Sequence, residues 1–496
     1  MLEDDILLGI FNCYRLGDEN GWNVRLGWCK LSHVCRRWRH LIHSSVFHLS
    51  MHILCTNGSP IVDTLDHLPP LPLLIDYLDR GDPTLTISSF PWDETRVVSG
   101  EDELGIYHAL RLHDRVRHIN LHVVSPSTLD KSLRLMDRPF PILEHLSLSL
   151  TGDVMTSLGD VMFTLPGAFL APTLRHLDLL GIRLPKRLRL LSSTPSLVTL
   201  KLTNIQASGY FHPRLLVVRL ESLPQLEELS IGFSIPTPRP SSERLLLGKQ
   251  GTPVMLYNLK SLTFRGVSAY LERLISLIRA PVLRELDITL FNQLAFTLPH
   301  LSHFVNITEH ITFPQIATIN FFPGTSIILS HRVMGWGPAY QNQGFTLHVM
   351  CKPLDWQIDC ATQICSAFTS TLAGIESLRV IINRQSYSFS ETDEADDTID
   401  STSWLELLRL FVNVKELHFD HNFSVELSRA LELDEIGSDP GLLPDLRELV
   451  SDYRGKHASS LFGSFIHARQ VAGRPVSLRL LPLQPLFGPR SPRLPS

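Results

Sequence analysis

From Val116 onward one arrangement of positions keeps returning: an apolar residue, two residues of mixed type, then two apolar residues separated by one more. It stands as VRHINL from Val116, LEHLSL from Leu143, LRHLDL from Leu174, LVTLKL from Leu197, LEELSI from Leu226, LKSLTF from Leu259 and LRELDI from Leu283. It continues less regularly as IATINF from Ile316, IESLRV from Ile375, VKELHF from Val414 and LRELV from Leu446. Each copy predicts a short strand whose alternate apolar residues point inward, followed by a return segment that covers them. One copy cannot bury its own apolar edge, so neighbouring copies must stack.

Between Val116 and Ile316 the offsets are 27, 31, 23, 29, 33, 24 and 33 residues, the range of leucine-rich repeats stretched by insertions. Residues 269–278 and 404–412 have the helical spacing of returns, whereas residues 184–192 and 245–251 are short and irregular. Regular repeats place Asn three residues beyond the last apolar strand position. Only Asn383 and Asn422 do so here; Thr151, Ile182, Ile205, Ser234, Val267, Phe291 and Gly324 fill other copies. The pattern lapses between Phe322 and Ala373, where SIILSH from Ser326 and FTLHVM from Phe345 predict extra strands joined by a Gly- and Pro-containing stretch. The acidic run at residues 391–400 reads as a mobile surface loop.

The polar residues flanking the inward positions share the open face of such strands. They nominate a target-binding surface of His118, Asn120, His145, Ser147, His176, Asp178, Lys201, Glu228, Thr263, Arg265, Glu285 and Asp287, with Arg379 and His418 further on. His122 joins His118, His145 and His176 there, so grouped imidazoles could bind a metal or respond to pH. No Cys or carboxylate spacing supports a metal site, and the simpler reading is solvated histidines on a polar face; no metal and no cofactor are expected.

Two amphipathic helices are predicted before the repeats. In LEDDILLGIF, residues 2–11, Leu2, Ile6, Ile10 and then Tyr14 recur every four residues, and Glu3, Asp4 and Asp5 occupy the first turn, where the helix dipole favours anions. In LSHVCRRWRHLI, residues 31–42, Leu31, Val34, Cys35, Trp38, Leu41 and Ile42 lie on one side, with Arg36, Arg37, Arg39 and His40 on the other. Neither helix makes a core alone, so each needs a partner surface. This pair resembles the F-box, the helical module that docks a Skp-type adaptor in cullin-based ubiquitin ligases. With HLSMHILCTNGSPI, residues 71–77 and the late GRPVSLRLLP, the chain resembles the expanded F-box families of mushroom-forming fungi. In two places it departs from the family pattern. Glu3 stands where an F-box usually has Pro, and about twenty residues separate Phe11 from Leu31.

The resemblance implies adaptor contacts at Leu2, Ile6, Ile10, Leu31, Val34, Cys35 and Trp38, with Trp38 alternatively an internal staple of the module. It implies a Skp-type adaptor, and through it a cullin ligase, as partner, together with a protein target. The expected class is α/β: an F-box-like helical module at residues 1–50, a connecting segment at 51–115 and an irregular leucine-rich-repeat horseshoe of parallel strands with helical or irregular returns at 116–455. Residues 456–481 would cap the repeats, and the Pro- and Arg-rich residues 482–496 would form a disordered tail.

Composition narrows the function classes. Of 496 residues, 44% are hydrophobic and 19% charged, which fits a globular chain with a large core. A net charge of −5 gives no overall attraction to nucleic acid. Seven cysteines without a CxxC pair read as reduced thiols of the cytoplasm or nucleus. The acidic N-terminus does not resemble a signal peptide, and Pro314, Gln315, Asn320, Pro323 and Gly324 interrupt the uncharged residues 311–330, so no membrane association is expected. The letters DEAD at residues 393–396 lack the Gly-rich phosphate loop that ATPase chemistry needs, because both Gly-Lys pairs continue into Gln or His. There is no GxSxG or HExxH either, so a non-enzymatic protein is expected. The basic residues 183–191 read as a solvated return face, and the PxxP spacings of the tail as disordered chain rather than a partner ligand.

Overall fold

The computed structural model describes residues 3–17, 31, 33–44, 53–54, 72–78, 100–122, 125–149, 163–185, 189–234, 252–293, 295–308, 311, 314–321, 324–330, 344–351, 354–382, 401–420, 423–434, 442–451 and 461–480. The chain forms two compact units, Met1–Arg239 and Pro240–Ser496. The acidic run at 391–400, the return at 245–251, Asn383, Asn422 and the tail at 482–496 lie outside the described residues.

In the first unit the strands are β1 (Ile53–Leu54), β2 (Leu73–Leu78), β3 (Val116–His122), β4 (His145–Ser149), β5 (Phe163–Thr164), β6 (His176–Leu180), β7 (Ile182–Arg183), β8 (Thr199–Ile205) and β9 (Glu228–Phe233). The main ladder runs β1-β2-β3-β4-β6-β8-β9, every pair parallel, and β5 pairs separately with β7. Register follows the repeat: Leu146 lies beside Leu177 and Leu177 beside Leu200, and Leu148 lies beside Leu179 and Leu179 beside Leu202. These leucines, with Leu143, Leu174 and Leu197 at the strand entrances, are all buried. Each fully buried leucine contributes about 1.5–3 kcal/mol of transfer free energy, so the stacked columns form the main apolar core of this unit.

The returns close over that core. Ser125 caps the helix Pro126–Leu135 by accepting from the Thr128 amide at 3.2 Å, and Pro126 enters where its missing N–H is harmless. The helix Pro213–Leu220 starts in the same way, with His212 Nδ1 accepting from the Arg214 amide at 3.1 Å. Among the described residues of the basic stretch, Arg189–Ser192 is helical and buries Leu190 and Leu191. The ladder also begins earlier than Val116. LLIDYL forms β2, and the helix Gly100–Arg111 returns from it, so one more strand-and-return unit stands within residues 51–115. Ahead of the strands lie the two amphipathic helices, Asp4–Gly17 and Arg36–Ser44.

The second unit contains β10 (Val254–Met255), β11 (Ser261–Gly266), β12 (Ile278–Arg279), β13 (Glu285–Phe291), β14 (Ile316–Phe321), β15 (Thr325–Ser330), β16 (Gly344–Met350), β17 (Ser377–Ile382), β18 (Glu416–Phe419), β19 (Glu448–Ser451) and β20 (Ser477–Leu480). The helices Ser268–Ile275 and Ser401–Leu408 fall on the two predicted helical returns. The two extra strands expected in the lapse of the pattern form here, but not all of the strands run parallel. The order is β11-β13-β16-β15-β14-β17-β18-β19-β20, and β15 runs antiparallel to both neighbours. The strand from Ile316 therefore does not lie beside the strand from Leu283; β16 takes that place, in parallel register with β13. The cause is local, since three residues between β14 and β15 permit only an antiparallel hairpin. Two glycines admit the insertion. A Cβ at Gly324 would stand 2.5 Å from the Val349 carbonyl oxygen, and one at Gly344, whose φ is +141°, 2.6 Å from that of Leu329. Phe321 of β14 packs edge to face with Trp404 and Phe423, which meet each other in the same way, with ring centroids 5.0–5.6 Å apart.

Candidate functional site

Burying alternate residues leaves two polar rows on the other face of the first unit's strands. By strand pairing, Leu74, His118, His145, His176, Thr199 and Glu228 form one row, and Asp76, Asn120, Ser147, Asp178, Lys201 and Ser230 the next. All eight nominated residues between His118 and Glu228 stand in these rows. His118 and His145 stack face to face, with centroids 4.3 Å apart and planes 3° from parallel, and His176 lies 5.6 Å from His145 with its ring tilted by 44°. His176 Nδ1 lies 3.2 Å from Thr199 Oγ1. His122 bridges two recessed serines, its Nδ1 2.7 Å from Ser149 Oγ and its Nε2 3.1 Å from Ser147 Oγ.

His145, in the middle of the row, is held neutral. Burial pushes His145 down to about 4, and the neighbouring His118 and His176 add to the shift. The carboxylates are also uncomfortable: burial raises Asp76, offset in part by the Asn120 amide that donates to it at 2.8 Å, and burial raises Asp178 against the nearby Lys201. Lys201 itself is committed to Glu228, 2.7 Å away. Among the described residues no group of three or more His, Cys, Asp or Glu side chains converges as a metal site.

On the second unit's strands Thr263, Asp287, Thr346, Ile328, Thr318, Arg379, His418, Val450 and Arg479 make a row, Ser261 beside Glu285 begins a second, and Arg265 beside Thr289 a third. Burial raises Asp287, with His348 3.9 Å away acting against it. Burial lowers both Arg379 and His418, and Glu416, 3.3 Å from His418, opposes each shift. The nominated residues thus share faces within each unit, with acidic β13 several strands from basic Arg379 and Arg479.

The N-terminal helices meet through Trp38, Leu41 and Ile42 of the expected apolar side of the second and through Leu7 and Phe11, which the four-residue spacing of the first did not put inward. Leu7, Phe11, Leu41 and Ile42 are buried, and Phe11 meets Trp38 edge-on at 4.9 Å. Arg37 Nη2 closes the pair on Asp4 Oδ1 at 2.6 Å. Ile6, Ile10 and Val34 instead stay 49%, 46% and 59% exposed. Cys35 is exposed as well, Leu31 and Trp38 are half-buried, and Leu2 lies outside the described residues.

Asp76 belongs to the site although the sequence reading passed over it. The signal was the apolar alternation of LLIDYL with one acid at an outward position. No family model and no curated protein matches the chain. Among the described residues no helix is long and apolar enough to cross a membrane. Among solved structures the chain is similar to the leucine-rich repeat-containing protein LegL7 from Legionella pneumophila, at 12% identity over 86% of this chain and 99% of that one, with a TM-score of 0.25.

Proposed function

We propose that this chain is the non-catalytic target-recognition subunit of a Skp-cullin-F-box ubiquitin ligase. The adaptor docks on the N-terminal helices, and a protein target on the polar face of the repeat strands. The observation that carries the reading is the division of the helix pair. One side is sealed by Leu7, Phe11, Leu41 and Ile42, while Ile6, Ile10 and Val34 present apolar surface to solvent, as a docking module does. Catalysis then means proximity, with the ligase enzyme acting on a protein held within reach, and no residue here need be nucleophile or base. Retention of a recombinant Skp-type adaptor by the full chain tests this, with a known F-box protein as positive control. Wild type retaining adaptor is the expected result; failure where the control succeeds removes the ligase reading.

The second reading is a repeat scaffold whose helices no longer dock an adaptor. Glu3, exposed in the first turn where the family carries Pro, favours it. Under this reading targets still bind the strand face, so adaptor retention and target binding discriminate the two.

A further inference from the structure

The two polar rows of the first unit carry three carboxylates, Asp76, Asp178 and Glu228, against one ammonium, Lys201, and that ammonium is spent on Glu228 at 2.7 Å. Four imidazoles, those of His118, His122, His145 and His176, stand among them. At neutral pH His145 adds no positive charge. Asp178 is the residue left over. It lies between Ser147 and Lys201, partly buried, and among the described residues no hydrogen bond reaches its carboxylate. Asp76, three strand steps away, accepts from Asn120, whose own Oδ1 is buried without a partner. A half-desolvated carboxylate without a matching donor gains most from a cation brought by something else.

We propose that this face takes an extended basic segment of a protein target, with Asp178 and Asp76 receiving two Lys or Arg side chains beside the stacked rings of His118 and His145. The inference rests on the strand face being the target-binding surface and adds the chemical class of what binds. Spacing fits the occupant. Three strand steps at about 4.8 Å separate the two carboxylates by roughly 14 Å. An extended chain covers that distance in about four residues at about 3.4 Å each, so cationic side chains at positions i and i+4 reach both. The stacked His118 and His145 rings offer a flat face to a guanidinium, whereas an anion would meet Asp76 and Asp178.

Fluorescence anisotropy on the full chain at pH 7.5 tests the proposal with three probes: a nine-residue peptide with arginines four apart, the same peptide with glutamates in their place, and labelled spermine as a non-peptide polycation. The arginine peptide is expected to bind, and the glutamate peptide to bind at least tenfold more weakly. Asp178→Asn and Asp76→Asn should each weaken the arginine peptide at least tenfold. Spermine matching the arginine peptide would replace the peptide partner by a polyamine and overturn the proposal, as would indifference of binding to Asp178→Asn. A display library of random nine-residue peptides separates this failure from failure of the underlying reading, using Leu180→Trp to obstruct the face. Enriched peptides that lose binding to Leu180→Trp but lack basic residues leave the face as a binding surface and remove the basic class. Peptides indifferent to Leu180→Trp remove both.

Discussion

His145 shows how a single side chain in a stacked row ties stability to pH. Its pKa falls from 6.5 in the unfolded chain to about 4 in the fold, so between these values the unfolded chain binds more protons. The stabilising contribution is therefore complete above pH 6.5 and is lost as pH falls toward 4. The shift corresponds to about 3 kcal/mol at 1.36 kcal/mol per unit, and screening of a ring that solvent still reaches reduces this to roughly 1 kcal/mol. Asp76 and Asp178 shift upward and act with the opposite sign nearer the acid end, so the comparison belongs between pH 7.5 and 5.5. Urea unfolding of wild type should show the loss over that interval, and His145→Gln should flatten it; an equal slope in the variant removes His145 as its origin. That His118, His145 and His176 share a face is legible in the sequence, because each occupies the same place in its repeat. Which of them touch is not, since ring stacking depends on rotamers set by neighbouring strands.

At the scale of elements, one return helix holds the next. Glu272, in the helix Ser268–Ile275, accepts from the His300 and Leu301 amides at 2.8 and 2.9 Å. Those amides open the helix Pro299–Ile307, whose own N-cap residue, Leu298, has no side chain to cap it. A carboxylate there satisfies two orphan donors and meets the positive end of the helix dipole. Glu272→Ala should lower unfolding free energy by about 1–2 kcal/mol, and Glu272→Gln by less; chemical denaturation measures both. The inserted strands obey a steric rule instead. Gly344→Ala puts a methyl group 2.6 Å from a backbone oxygen at positive φ, so β16 must shift. The expected cost is about 1–3 kcal/mol, with faster amide exchange confined to β15 and β16. The strand in each of the eleven repeat copies is legible in the sequence, because inward periodicity encodes burial. Their order is not, because the pattern fixes which face a residue occupies but not which strand lies beside it. The displacement of β14 by two strands follows from its antiparallel pairing with β15, set by a connection three residues long.

For the whole molecule, the reading requires two binding activities on separate parts of the chain. The exposed side chains Ile6 and Val34 belong to helices closed by other residues, so charging them leaves the sealed side intact. Substitutions at exposed positions usually change stability by no more than about 0.5 kcal/mol. If the helices dock an adaptor as proposed, Ile6→Asp with Val34→Asp should lower adaptor retention at least tenfold while circular dichroism and the midpoint of urea unfolding stay as in wild type. Asp178→Asn should do the reverse, because it removes one charge from the strand face and touches neither helix. The pair forms a reciprocal test: if the double variant also loses the arginine peptide, or Asp178→Asn also loses the adaptor, the two activities are not separable. A ligase subunit working by proximity needs both at once in one chain. Each variant alone should therefore abolish transfer of ubiquitin to a target fused to that peptide in a reconstituted reaction, although each fails at a different contact.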